Sequence, residues 1–282
     1  MKKEGPMNLK IGFVILTWNS ENFIKACLDS IFNMKEIVSH VVVVDNGSTD
    51  QTKTILSATK SNPDSTFEVI YYPSNRGTTL TRNAGLKLLE KYEIDFYCIL
   101  DSDTIVNEDC FYILSNEMTL HKEYGLIGPK MTTSKGLVQK SARSFPTVME
   151  KICKAMPIKS IQKIGEQMEV QYPDKEDKSS YPVDYLMSAY WLIRPEALSK
   201  TGYLDEKIFY APEDAEYCIQ MWKAGYQVAF CPQAQIIHEW QRLSKRKIFS
   251  RINWEHIKGL VYMFQKHNYM FTTKNLKLRF PI

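Results

Sequence analysis

The sequence has six cysteines and no Cys-x-x-Cys spacing, so nothing supports a cysteine-rich zinc site. It has no apolar stretch long enough to span a bilayer. It has no visible signal peptide: the first apolar run, Ile11 to Leu16, is short and is followed by Trp18-Asn19. No internal repeat or low-complexity segment breaks the pattern. No nucleic-acid-binding motif accompanies its basic residues, which argues against a DNA or RNA partner. The cysteines fall mostly inside apolar runs and read as buried free thiols in a reducing, cytoplasmic compartment.

What is present is an ordinary globular composition, 44% hydrophobic and 24% charged over 282 residues. That suits one large α/β domain with elaborations, or two small ones. The net charge of +4 is unevenly spread. From Trp240 to Ile282 ten Lys or Arg stand against one acid, Glu255, while the rest of the chain is acidic. Such a tail either contacts an anionic partner, such as headgroups at the inner face of a membrane, or is a solvated basic helix. The organisation expected is a domain over 1–240, with a variable insertion at about 132–180, followed by a basic amphipathic helix and tail over 241–282.

In the first half strands alternate with helices. Strands are expected at Ile11–Leu16, Val41–Val44, Phe67–Tyr72 and Phe96–Leu100. Helices are expected at Glu21–Phe32, Thr52–Ala58 and Thr79–Tyr92. Continuous Val/Ile-rich strands separated by helices predict a mostly parallel sheet covered on both faces. In such sheets ligands sit at the carboxyl ends of the strands. Further on, a helix is expected at Val148–Ala155 and a mobile stretch near Pro173–Ser180. A strand at Trp191–Ile193 precedes helices at Pro195–Lys200 and Asp214–Ala224. Two short strands, Gln227–Cys231 and Gln235–Ile237, lead to a long helix from Arg246 to about His267.

Three polar clusters end strands: Thr17-Trp18-Asn19, Asp45-Asn46-Gly47 and Asp101-Ser102-Asp103. Two carboxylates at i and i+2 on extended backbone point the same way, so Asp101 and Asp103 can face one hard cation. His238 ends a later apolar strand and could be a third ligand for Mn2+ or Mg2+, although a lone histidine is more often structural. Asp45 could accept from a base or ribose, or simply be turn chemistry. Arg82 could pair with a phosphate and Asn83 with a ribose or a carboxylate, or both could belong to an exposed basic helix face. Glu213-Asp214 opens a helix, where the dipole alone favours acids; the functional reading is a general base at a pocket rim.

Together these motifs resemble glycosyltransferase family 2, with the GT-A fold. The likeness runs through Ile15-Leu16-Thr17-Trp18-Asn19, Val43 to Asp50, Leu100-Asp101-Ser102-Asp103, Phe209 to Asp214, and Gly225-Tyr226 leading to Ile237-His238. With Gly202 to Glu206, it is closest to the rhamnosyltransferase-like branch. The resemblance implies an inverting, metal-dependent sugar transferase. Thr17, Asn19 and Asp45 would surround the nucleotide. Asp101, with Ser102 beside it, would contact ribose or a metal-bound water, and Asp103 and His238 would hold the metal. Asp214 would be the base, supported by Glu213. The donor would be dTDP-rhamnose, or next a UDP-sugar, and the acceptor a glycan or lipid-linked precursor. Arg82-Asn83-Ala84-Gly85 departs from the branch pattern, and Ser188 stands where a Gly often lies near the donor sugar. The competing readings are a nucleotidyltransferase, against which Thr17 to Glu21 replaces the needed Gly-rich phosphate loop, and a degenerate nucleotide-sugar-binding module.

Overall fold

The computed structural model describes residues 9–170, 180–239 and 251–281. The expected segment near Pro173 lies largely outside these residues, as does the stretch leading into the last long helix. The first half is β1 (Leu9–Thr17), α1 (Ile24–Phe32), β2 (Ile37–Asp45), α2 (Thr52–Ala58), β3 (Thr66–Tyr71), α3 (Thr78–Leu89) and β4 (Phe96–Asp101). Each strand is longer than its apolar run, except β3, and each polar strand end is taken into the ladder. α1 starts at Ile24 rather than Glu21, because Ser20 to Phe23 form a turn in which the Ser20 carbonyl accepts from Phe23 and Ile24.

The chain continues through β5 (Thr104–Ile105), α4 (Glu108–Leu120), β6 (Tyr124–Thr132), β7 (Val138–Gln139), β8 (Ala142–Arg143), α5 (Val148–Ala155) and α6 (Lys159–Glu169). Then come β9 (Tyr181–Pro182), β10 (Tyr185–Leu186), β11 (Tyr190–Ile193), α7 (Pro195–Thr201), α8 (Glu213–Lys223) and β12 (Gln227–His238), followed by α9 (Arg251–His267) and α10 (Lys274–Lys277). α4 is capped by the Asn107 side chain, which accepts from Cys110 N.

The sheet order is β3-β2-β1-β4-β11-β6-β12-β5. The first four strands are parallel, as expected of the βα alternation. β11 runs antiparallel to β4 and β6, while β12 is parallel to β6. The two short strands expected at 227–237 are one strand with a register shift between Cys231 and Gln235. Pro232 cannot donate to a ladder, and the shift lets the strand pass it and continue.

Helices cover both faces. Under one lie Phe13, Phe111, Tyr190 and Ile236. Under the other lie Val14, Leu86, Trp191 and Tyr217, with the Trp191 and Tyr217 rings stacked at 5.5 Å. The C-terminal segment joins this second layer: Met263, Phe264, Tyr269 and Leu276 are buried in it, and Phe280 stacks on Trp222. Part of its basic charge is consumed internally, since Lys266 pairs with Asp205 and Glu216, and Lys277 with Asp184. The insertion is not wholly peripheral either. β7 pairs with β6, and β8 pairs with β10. All six cysteines are free thiols, and all but Cys153 are buried. Among the described residues no helix is long and apolar enough to cross a membrane.

Candidate active site

The parallel register sets the rim of the site. Thr17 pairs with Asp45, and Leu16 with Asp101, so three polar strand ends stand side by side. A cavity of about 300 Å3 opens there, lined by residues that include Trp18, Asp101, Ser102, Asp103, Ser188, Glu213, Asp214 and His238.

One wall is a cluster of three possible ligands. Atoms of Asp101, Asp103 and His238 all lie within 4.8 Å of one another. His238 reaches it because β12 pairs with β5, aligning His238 with Thr104, and the Glu239 N–H donates to the Asp103 carbonyl. Its Nε2 lies 3.3 Å from Asp103 Oδ1. The ring is fixed from behind by Gln139 of β7. Gln139 Nε2 donates to the His238 carbonyl at 2.9 Å, so Oε1 is left to accept from Nδ1 at 2.6 Å. That commits Nδ1 and turns Nε2 toward the carboxylates. Burial disfavours the charged imidazolium, but Asp103 outweighs it and the His238 pKa is raised. Two carboxylates and an oriented imidazole fit a single Mn2+ or Mg2+ ion. Sequence reasoning missed Gln139, because a polar residue in a two-residue strand has no periodicity to mark it.

The opposite wall is α8. Glu213 and Asp214 occupy its first turn, with Asp214 facing the cavity and Glu213 buried. Burial and Asp214 push Glu213 up to about 7, against the pull of Arg82 and Ser188. Asp214 is also raised, by burial, although the Ala215 N–H bond opposes it. A carboxylate held up in this way is a better proton acceptor for neutral-pH chemistry.

Arg82 joins the two walls. Its guanidinium is 2% exposed and donates at 2.8 Å both to Asp101 Oδ1 and to Glu213 Oε1. Glu213 Oε1 also accepts from Ser188 Oγ at 3.0 Å. The expected phosphate ligand is therefore committed to two carboxylates. Arg82 reaches them from α3, whose start is fixed by Gly77. Gly77 has φ +89°, and a Cβ there would lie 2.3 Å from the Phe209 carbonyl oxygen. Thr78 and Thr79 hydroxyls and the Thr78 N–H donate to carbonyls of Ile208, Phe209 and Tyr210.

The other expected site residues divide. Ser102 lines the cavity and shares a hydrogen bond with Ser20 at 2.8 Å. Thr17 and Asp45 end their strands beside the cavity but do not line it: both are fully buried, and Thr17 Oγ1 and Asp45 Oδ1 have no hydrogen-bond partner among the described residues. Asn19 takes a left-handed conformation, φ 51°, and its Oδ1 accepts from Thr49, tying two rim loops together. Asn83 is not brought to the cavity: its carboxamide bonds both backbone groups of Leu204 and the Glu206 carboxylate. It anchors α3 to the loop ahead of α8.

A sheet rim bearing three candidate metal ligands and faced by helix-borne carboxylates places the chain among α/β proteins with a site at the carboxyl ends of parallel strands. Among them, this chain belongs to glycosyl transferase family 2, whose family model matches residues 13–202. It is 28% identical over 107 residues to poly-beta-1,6-N-acetyl-D-glucosamine synthase of Staphylococcus aureus, a match covering 38% of this chain and 25% of that protein. The chain thus corresponds to about a quarter of the length of the curated relatives it matches. GalNAc-T7, solved with UDP, GalNAc and Mn2+, superposes with a TM-score of 0.63 at 14% identity, over 91% of this chain and 48% of that one. S. aureus TarS 1-349 with UDP-GlcNAc gives 0.55 at 18% identity, over 85% and 62%. These neighbours establish the GT-A fold.

Proposed function

We propose that this chain is a metal-dependent inverting glycosyltransferase, moving a sugar from a nucleoside-diphosphate sugar to a hydroxyl of a glycan, glycolipid or polysaccharide precursor. The observation that carries the reading is the cluster of Asp101, Asp103 and His238 standing across one cavity from Asp214. Thr17 and Asp45, with unsatisfied buried oxygens just behind the cavity wall, would take ribose and base. Asn19 shapes that wall through Thr49. A UDP-sugar now stands ahead of dTDP-rhamnose as donor, supported by the neighbours solved with UDP and UDP-GlcNAc.

Asp103 and His238, with Asp101 beside them, would hold Mn2+ or Mg2+, which would supply positive charge to a diphosphate leaving group. Asp214 takes the proton of the acceptor hydroxyl. The acceptor oxygen bonds to the anomeric carbon as the bond from that carbon to the diphosphate oxygen breaks, which inverts configuration. Glu213, locked to Arg82 and Ser188, keeps Asp214 in register and keeps a second acid beside it. Arg82 holds the two walls at a fixed separation.

A thermal-shift screen of UDP-, GDP- and dTDP-sugars, each with Mn2+ and with EDTA, tests this. Saturation at a hundredfold over Kd stabilises by about 2.7 kcal/mol. A Mn2+-dependent shift with a UDP-sugar, lost in Asp103→Ala, is expected. Equal shifts with EDTA and with Mn2+ would refute the metal role, and no shift with any donor would refute the function.

A further inference from the structure

Three helices present apolar residues outward that the site does not use. On α9, Trp254, Ile257 and Val261 are spaced three and four apart and form one exposed stripe, with Trp254 59% accessible. On the α5–α6 hairpin, Ile152, Ile158 and Ile164 are about half exposed. The hairpin and α9 are neighbours. The Val148 N–H at the head of α5 donates to the Met270 carbonyl just beyond α9, and burial with Lys151 and Lys154 lowers His256 to about 4.

Much of the charge around these residues is paired within the protein, and the exposed remainder on α6 is a small basic excess. Glu150 is buried against Lys151 and Lys154, Glu169 is paired with Arg143 and Lys154, and Glu255 with Lys258. Lys159 and Lys163 are exposed, and Glu166 is the exposed acid among them. Lysine stems beside aliphatic residues and a tryptophan are suited to a headgroup boundary. The centre of a protein interface is instead depleted of lysine.

The face is also coupled to the site. Gly259 of α9 sits against the loop before α8: a Cβ there would lie 2.3 Å from the Ala211 carbonyl oxygen. We infer that α5, α6 and α9 seat the protein on an anionic lipid bilayer, so that the acceptor presented to Asp214 is lipid-linked. The second half rests on the sugar-transfer reading; the contact with lipid does not.

The test is sedimentation of the full chain with phosphatidylglycerol–phosphatidylcholine vesicles and with phosphatidylcholine alone. Binding should need the anionic lipid and weaken in high salt. Ile152→Glu with Ile257→Glu should lower it about a hundredfold, since two apolar side chains lose their burial. Lys159→Glu with Lys163→Glu is a second variant that touches no packed residue, and it too should weaken binding. Nucleotide-sugar thermal shifts should be unchanged in both. No binding to anionic vesicles by the wild type, with nucleotide binding intact, overturns this inference alone. Vesicle binding without nucleotide binding overturns the sugar-transfer reading instead. A wild-type dimer in the ultracentrifuge that becomes a monomer in the Ile variant, with vesicle binding unaffected, would assign the face to a second copy and overturn the inference.

Discussion

Replacing Arg82 by Met tests the link between the two walls of the site. The guanidinium is buried and donates to two carboxylates, so its removal leaves Glu213 and Asp101 without their cation. Breaking a buried pair in this way costs about 3–5 kcal/mol. The cost should depend on pH. In the wild type Glu213 rises from 4.5 to about 7, worth about 3 kcal/mol. The folded state therefore holds a proton that the unfolded state has lost between those values. This group's contribution is fully present below 4.5 and is gone once pH has risen through about 7. Arg82 is one of the influences holding Glu213 and Asp101 down. Without it both carboxyls titrate higher, and the declining limb extends above pH 7, with a slope of up to about 1.4 kcal/mol per pH unit for each group. Urea unfolding in EDTA at pH 5.5, 7 and 8 measures this. At pH 5.5, where Glu213 is already protonated, the loss should shrink toward the about 1.5–3 kcal/mol of charge-assisted hydrogen bonds. Adding Glu213→Gln should remove the Glu213 part of the extended limb. The same destabilisation at all three pH values would refute the reasoning.

Two further substitutions separate roles within the site. Asp214→Asn should keep donor affinity and lower turnover by about 10²–10⁴-fold; near-normal turnover in a coupled nucleotide-release assay would end its role as base. Gln139→Leu frees the His238 ring and should weaken Mn2+ binding about 10–100-fold, read by Mn2+ electron paramagnetic resonance; an unchanged affinity would refute the clamp.

Much of the frame was legible because its cause is local. The runs at Val41–Val44 and Phe96–Leu100 are strands for the reason their composition suggests, and Thr52–Ala58 and Val148–Ala155 are helices with the expected bounds. The carboxylate pair could be read because i and i+2 on a strand is a property of backbone geometry. What escaped depends on partners distant in sequence. Arg82 looks like a phosphate ligand until Glu213, 131 residues away, is brought to it. Asn83 could be read as binding a ribose or a carboxylate, and the fold gives it a carboxylate, Glu206, together with the backbone of Leu204. Gln139 lies in a stretch whose composition resembles a loop, and only the pairing of β7 with β6 carries it to His238. α4, β6 and α6 were not anticipated, and the strand through Pro232 appeared broken because a bulge leaves no mark in composition.

The first turn of α3 has no capping side chain of its own. The Thr78 amide is instead satisfied by the Phe209 carbonyl, and the neighbouring threonine hydroxyls by Ile208 and Tyr210. A helix in the N-terminal half of the chain is thus finished by a loop from the half that holds the carboxylates of α8. The two segments form one cooperative unit for local opening. Amide exchange at Thr78 reports on the loop as much as on the helix. A fluctuation that lifts the loop would uncap the helix and loosen the turn leading to Arg82, whose guanidinium bridges both walls.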